Sequence, residues 1–447
     1  MASYCHRRYV SRLFQNFGKL QPKSKSQEVG LSCHSHKLML YNDIIAQSYA
    51  GGFHMLPLGL RALEKLTHLV DEEMQAIGGQ KIAMTTLAPE SLWQTSGRWA
   101  AAGSELFKIT DRQKHQFCLG PTHEELVTKL LANIAQVSYK QLPIKLYQIT
   151  RKFRDEMAPK YGLLRGREFE MKDMYTFDSN EETALETYNG VCGAYNRLFD
   201  RLGVPYVKVA GATGIIGGSL SHEYHYFADV GQDSVLMCER KVFLTLCSKM
   251  GFAHFPTCHH KQFCATNSSN SIFMIIIFYQ LNVLLCGDHE LIIYIYFFLF
   301  VIHNISDFHM GCYGLGITRI LQATLEALST ETGIRWPGLI APHQIYIIPK
   351  KDGSRGEDYL TAAESLSDSL TQRRHLQGEV VIDDRMNLTI GRRQVDADRL
   401  GYPYTIILGV KALESPALYE VVETATRETT FMSKDQLMAF ADQIQTI

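Results

Sequence analysis

The chain carries almost no net charge: 45 Lys and Arg oppose 46 Asp and Glu among 447 residues. A global basic field is thereby excluded, so any nucleic acid must meet a local patch and bind with strong salt dependence. The ten cysteines include no Cys-x-x-Cys pair and no regular framework. That argues against a disulfide-built secreted fold and for a reducing compartment. Nor does any apolar run reach the ~18 uninterrupted residues of a membrane-crossing helix. The longest apolar blocks, 272–286 and 291–302, are separated by Gly287-Asp288-His289-Glu290, so no membrane association is expected. Acidic residues are missing before Glu28, a stretch that holds Arg7, Arg8, Arg12, Lys19, Lys23 and Lys25 among serines and apolar residues. This is the composition of an organelle transit peptide, expected over residues 1–35 and directing the chain to the mitochondrial matrix.

The remainder is ordinary globular material, 46% hydrophobic and 20% charged, with length for two or three domains. Leu60, Leu63, Leu66, Leu69, Val70, Met74 and Ile77 recur at helical spacing and stop at Gly78-Gly79, a helix C-terminal signal. A strand-like run, Lys81 to Leu87, closes at Pro89. Gly120-Pro121-Thr122-His123-Glu124-Glu125 reads as a turn opening a helix that runs to Ile134. Strands are expected over Leu146 to Phe153 and Glu168 to Phe177, then a helix from about Asn180 to Leu202 and a strand at Tyr206 to Ala210. Beyond Trp336-Pro337-Gly338 and Pro342, strands at 344–348, 379–382 and 404–408 alternate with helical segments at 358–373 and 390–400. Such alternation predicts a small α/β domain of about 100 residues.

Residues 239–306 break this pattern. They are rich in Ile, Phe and Tyr, prone to aggregate, and read as an insert foreign to the sequence on either side. Cys258, His259, His260 and Cys264, with Cys238 and Cys247 upstream, lack the paired spacing of structural zinc sites, so no metal is expected there.

The chemistry concentrates in Phe153-Arg154-Asp155-Glu156 and the following Tyr161-Gly162-Leu163-Leu164-Arg165-Gly166-Arg167-Glu168-Phe169. Two strands joined by a basic, mobile-looking loop can hold a nucleotide without a glycine-rich phosphate loop. Arginine forks phosphate oxygens, and an aromatic face offers a base something to stack on. Alone, the hairpin reads as readily as a solvated sheet turn. A second arginine gives it a partner: Arg319 in Gly314-Leu315-Gly316-Ile317-Thr318-Arg319, a segment that reads as a glycine turn feeding a helix to Glu326.

The helix and strand ending at Pro89, the Thr122 turn, the Arg154 hairpin and the Gly-x-Gly-x-x-Arg helix resemble the signature motifs of class II aminoacyl-tRNA synthetases. Arg167-Glu168-Phe169, Met171-Lys172-Asp173-Met174-Tyr175-Thr176-Phe177 and Thr122-His123-Glu124-Glu125 narrow this to the prolyl-tRNA synthetase family, mitochondrial type. The resemblance covers roughly 40–238 and 308–447. It implies an α+β class II catalytic domain at 36–335, an antiparallel sheet flanked by helices, followed by an α/β anticodon-binding domain at 340–447. It further implies activation of L-proline with ATP and Mg2+, ligation to tRNA(Pro), and a homodimer joined through the helix and strand ending at Pro89.

By the same resemblance, Arg154 holds the α-phosphate and the amino-acid carboxylate, and Arg319 takes the γ-phosphate of a bent triphosphate. Phe169 stacks adenine, Glu156 orients this shell, and Arg165 and Gly316 complete the ATP site. Thr122 and Glu124 hold the secondary ammonium of proline, with Ser219, Ser221 and His222 walling the pocket. Outside this constellation Glu124 reads as a carboxylate stabilised at a helix N-terminus, and His222 as a structural histidine. Arg165 and Arg167 read equally as contacts to the tRNA acceptor end. Lys350, Lys351, Arg373, Arg374, Arg385, Arg392 and Arg393 give the C-terminal domain a local basic supply for reading splayed anticodon bases. The family's Gly-His-x-Phe-x-Leu-Gly-Thr-Lys-Tyr-Ser stretch, which helps line the proline pocket, is replaced here by the segment 239–306. No large editing domain fits between Phe169 and Gly314. A catalytically impaired, synthetase-like tRNA-binding protein is therefore the rival reading.

Overall fold

The computed structural model describes residues 7–15, 33–133, 137–211, 220–228, 230, 234–236, 245–247, 272–275, 279–283, 308–351, 353 and 355–447. Most of the expected presequence and most of the apolar segment lie outside the described residues.

The catalytic sheet comprises β1 (Gln80–Lys81), β2 (Ile144–Phe153), β3 (Glu168–Asp178), β4 (Tyr279–Val283) and β5 (His309–Gly316), ordered β4-β5-β3-β2-β1. Neighbours run antiparallel except β1 beside β2. β3 is central and buried from Met171 to Asp178, so it lacks the polar-out alternation of a half-exposed strand.

Packed with this sheet are α1 (Pro57–Ala76), α2 (Glu124–Asn133), α3 (Glu181–Leu202) and α4 (Ile317–Leu328). Pro57 starts α1, where its fixed φ and missing N–H cost nothing. Leu63, Leu66, Leu69, Val70 and Met74 form its buried stripe, while Leu60, expected in that stripe, stays exposed. Asn180 caps α3 by accepting a hydrogen bond from Thr183 N (2.9 Å), and Gly203 ends it at φ +69°.

The structure departs from the sequence reading at three places here. The run 81–87 is not one strand: Met84 N donates to the side chain of Gln148 (3.0 Å) instead of a ladder carbonyl. The chain then re-enters a separate three-stranded sheet at Leu87–Pro89, beside Gln116–Leu119 and Lys108–Thr110. Gly314 and Gly316 are strand residues of β5, paired with Asp173 and Met171, and the helix starts only after them. The apolar segment contributes structure too. β4 pairs with β5, and Ile272–Ile275 pairs with His222–Phe227, as a stretch rich in β-branched and aromatic residues permits.

The C-terminal domain holds β6 (Ile345–Pro349), β7 (Val380–Ile382), β8 (Tyr404–Leu408), β9 (Leu418–Glu423) and β10 (Thr429–Ser433), with α5 (Gly356–Thr371), α6 (Ile390–Leu400) and α7 (Lys434–Ala441). A sixth strand comes from the far end of the chain. Arg8–Tyr9 pairs parallel with β7 at the sheet edge, inside the expected presequence. Val10 behind it is fully buried, and Arg7 binds Glu364 (2.6 Å) and Asp368 (2.7 Å) of α5.

Candidate active site

Arg154 leaves β2 with its N–H donating to Arg167 O (2.9 Å), which closes the hairpin. Its guanidinium lies over the Phe169 ring, 5.3 Å from the centroid. One pocket is lined by Arg154, Leu163, Gly166, Phe169, Met171, Gly316 and Arg319. Arg154, Phe169, Gly316 and Arg319, expected at one site and drawn from the hairpin, β5 and α4, therefore converge. Burial and the neighbouring Arg154 pull the Arg319 guanidinium down to about 10. Arg154 is likewise lowered by burial, against the opposing fields of Glu124, Glu105 and Glu156. Two guanidiniums forced to face one cleft repel until an anion is shared between them.

The loop between β2 and β3, expected to be mobile, is clamped. Gln322, fully buried one turn beyond Arg319 on α4, accepts from Leu163 N (2.6 Å) and donates to Tyr161 O (2.8 Å). Arg319 Nε donates to Leu164 O (2.8 Å). The approach is close enough that a Cβ on Gly162, at φ +66°, would meet Gln322 Oε1 at 2.7 Å. Only glycine fits there. Arg165 is exposed and pairs with Glu156 (2.9 Å). Neither lines the pocket, though both act electrostatically on Arg319.

Thr122 and Glu124 meet as expected: Thr122 Oγ1 donates to Glu124 Oε1 (2.7 Å). Arg98, which sequence reasoning missed, donates to Glu124 (3.2 Å) and Glu125 (2.9 Å). Also missed was a buried network beneath this turn. His123 N donates to Tyr175 Oη (2.9 Å), which donates to Asp173 Oδ2 (2.8 Å). Asp173 also receives Gln148 Nε2 (3.0 Å) and pairs with Lys152 Nζ (2.6 Å). The available signal was charge in an apolar strand: Lys152 and Asp173 stand in β2 and β3 at positions that are otherwise core.

His222 opens the strand His222–Phe227, its Nδ1 2.5 Å from Tyr188 Oη of α3. Burial and nearby Lys208 lower His222 to about 4, so it is neutral near pH 7. Burial pushes the Tyr188 phenol up, so a neutral hydroxyl meets a neutral imidazole at Nδ1. Ser221 is buried, its Oγ without a hydrogen-bond partner among the described residues. Glu223 acts on the charge of Arg319, which places this strand beside the cleft. Ser219 lies outside the described residues.

In the C-terminal domain several expected base readers are used internally. Arg393, fully buried, donates to Asp383 O (3.0 Å) and Pro349 O (2.5 Å). Arg385 pairs with Asp383 (2.7 Å) and Asp396 (3.0 Å), and Arg373 with Asp442 (2.5 Å). Lys351, Arg374 and Arg392 remain exposed. Among the described residues no group of three or more His, Cys, Asp or Glu could hold a metal, and no helix is long and apolar enough to cross a membrane. Cys258, His259, His260 and Cys264 lie outside the described residues.

A hairpin arginine and a helix arginine facing one cleft over an antiparallel sheet, with an α/β domain behind, define a class II aminoacyl-tRNA synthetase. Residues 107–278 match the tRNA synthetase class II core domain (G, H, P, S and T), and 344–444 the anticodon binding domain. The chain is 44% identical to a Homo sapiens protein named "Probable proline--tRNA ligase, mitochondrial", across 98% of this chain and 91% of that protein. A Schizosaccharomyces pombe protein of the same name is 35% identical, across 90% of this chain and 92% of its own length. The chain belongs to the mitochondrial proline–tRNA ligase family. The fold agrees with two solved structures. One is a prolyl-tRNA synthetase from Cryptosporidium parvum complexed with halofuginone and AMPPNP (TM-score 0.71, 17% identity, 92% of this chain and 74% of that one). The other is a Giardia lamblia prolyl-tRNA synthetase in complex with prolyl-adenylate (TM-score 0.72, 18% identity, 91% and 75%). The relatives are named as ligases, so the rival reading of a catalytically impaired binder is not favoured.

Proposed function

We propose that this chain activates L-proline with ATP and ligates it to tRNA(Pro) in the mitochondrial matrix. The observation that carries this reading is the convergence of Arg154, Phe169, Gly316 and Arg319 on one pocket, with the Arg319 guanidinium pulled down to about 10. Phe169 offers adenine a stacking surface. Arg154 then reaches the α-phosphate while Arg319 draws the triphosphate back upon itself. A proline carboxylate oxygen attacks the α-phosphorus, the bond to the bridging oxygen breaks, and pyrophosphate leaves. Arg154 neutralises charge on the five-coordinate phosphorus, acting through position and preorganised charge. A hydroxyl at the tRNA 3′ end next attacks the activated carbonyl and releases AMP.

Thr122 and Glu124 hold the secondary ammonium, and Ser219, Ser221 and His222 serve the same proline pocket. Glu156 and Arg165 fix the hairpin beside Arg319 and contact the nucleotide once it is bound. Mg2+ would accompany ATP and supply charge neutralisation at its phosphates. We assign 36–335 to the catalytic unit, 340–447 to anticodon binding and 1–35 to import. We also propose a homodimer. Its interface would lie on α1 and the strand ending at Pro89, where Leu60 and Leu87 are 44% and 47% exposed. Pyrophosphate–ATP exchange across a panel of amino acids tests the reading. Exchange dependent on proline is expected, and folded protein inert with every amino acid would refute it.

A further inference from the structure

The turn that carries Thr122 and Glu124 has little structure of its own, yet it must hold a hydroxyl and a carboxylate to a fraction of an ångström. We infer that Tyr175 is the positioning residue of this turn, a rigid post that fixes the ammonium-binding groups from beneath without touching the amino acid. The inference rests on the proposed proline-activating role of the site.

The geometry is specific. Tyr175 sits in the centre of β3, 1% exposed. Its hydroxyl hydrogen goes to Asp173 Oδ2 (2.8 Å), and its oxygen accepts the backbone N–H of His123 (2.9 Å). Thr122 Oγ1 lies 3.3 Å from the same oxygen and gives its own hydrogen to Glu124 (2.7 Å). Asp173 cannot swing away, because Lys152 Nζ (2.6 Å) and Gln148 Nε2 (3.0 Å) hold it from β2. Gln148 in turn takes Met84 N (3.0 Å), and His123 Nε2 donates to Thr85 O (3.1 Å), tying the turn to the neighbouring segment. Lys152, Asp173, Tyr175 and His123 are each at most 3% exposed. A buried ion pair is a weak source of stability compared with apolar packing. Its fit here is to geometry: a charge-anchored phenol whose oxygen fixes a peptide N–H, a position that Phe fills equally well except for that oxygen.

The test is Tyr175→Phe in the full chain. Asp173 keeps Lys152 and Gln148, while His123 N loses its partner. The proline KM in pyrophosphate exchange is expected to rise about 5- to 30-fold, the factor that about 1–2 kcal/mol of lost positioning of Thr122 and Glu124 supplies. The ATP KM and kcat should stay near the wild-type values, while the thermal midpoint falls by a few degrees because a buried N–H is left unpaired. An unchanged proline KM, a parallel rise in both KM values, or a variant that fails to fold would assign Tyr175 to the core and overturn the inference. Wild-type protein inert with proline would remove the substrate reading and this inference together, which separates the two failures.

Discussion

At the scale of single residues, the cleft is organised around repulsion. Arg154 and Arg319 face each other inside a half-enclosed pocket, where burial first and Arg154 second lower the Arg319 guanidinium. Removing Arg154 takes away the group best placed to meet charge on the α-phosphorus. Arg154→Ala is therefore expected to cut the exchange kcat by about 10²–10³-fold, the loss typical of one preorganised donor. Circular dichroism and size should not change, since no described ion pair of the fold depends on this side chain. The histidines predict a pH response of definite sign. Burial lowers His36, His123 and His343 below the ordinary imidazole value, and His222 to about 4 from 6.5. The unfolded chain then binds more protons than the native one below about pH 6.5, so stability is full above that value and falls toward pH 4. Urea midpoints measured across that window should decline with acid, and His222→Gln should make the decline shallower. Much of this site was legible in sequence because Arg154, Phe169, Gly316 and Arg319 fall within short recognisable runs. Arg98 and Tyr175 were not. Their roles depend on which helix and strand lie beneath a turn, and neither spacing nor composition records that.

Whole elements show a similar division. α1, α3 and the two long strands were readable because periodicity, a capping Asn180 and terminal glycines all agree. β9, β10 and α7 were passed over because these short elements are only partly buried and carry a weak apolar pattern. The N-terminal stretch, expected as a presequence, also holds a strand of the C-terminal sheet. Arg7, Arg8 and Arg12 look like import signal, yet the fold uses Arg7 against Glu364 and Asp368, and stacks Arg12 on Tyr9 (5.1 Å). Basic residues in a leader and basic residues seeking an acidic helix are indistinguishable by composition. The strand adds what composition does not record: Val10 is fully enclosed, and Ser11 N donates to Asp384 (2.9 Å). Deleting residues 7–15 should lower stability by about 2–3 kcal/mol, mostly from Val10 with little from the exposed ion pairs. Equilibrium denaturation checks this. N-terminal sequencing of protein recovered from mitochondria should find these residues retained, so that import processing spares the strand.

Across the whole molecule, one of the contacts between the two domains is an acidic side chain flanked by two cations, beside others such as Arg335–Asp398 (2.7 Å). Glu379, just before β7, binds Lys65 Nζ (2.7 Å) and Arg61 Nη2 (2.7 Å), both from α1 of the catalytic unit. Lys65 also donates to Ala341 O (2.7 Å) and Arg61 to Gly378 O (3.0 Å). Burial lowers Lys65, with Glu379 the main opposing influence. Neutralising Glu379 would leave two cations enclosed together, one of them almost fully buried, a change that costs about 3–5 kcal/mol when a buried pair is broken. Either the junction opens to hydrate them or Lys65 gives up its proton. Both outcomes loosen the C-terminal domain from α1 without touching the cleft around Arg154. Glu379→Gln should therefore retain proline-dependent pyrophosphate exchange, which needs only the catalytic unit. Ligation to tRNA, which needs the anticodon domain held at a fixed distance, should fall by about tenfold, a factor that 1.4 kcal/mol of lost positioning supplies. Equal loss in both assays would mean that Glu379 supports the catalytic core itself, and equal retention that the domains are aligned by other contacts.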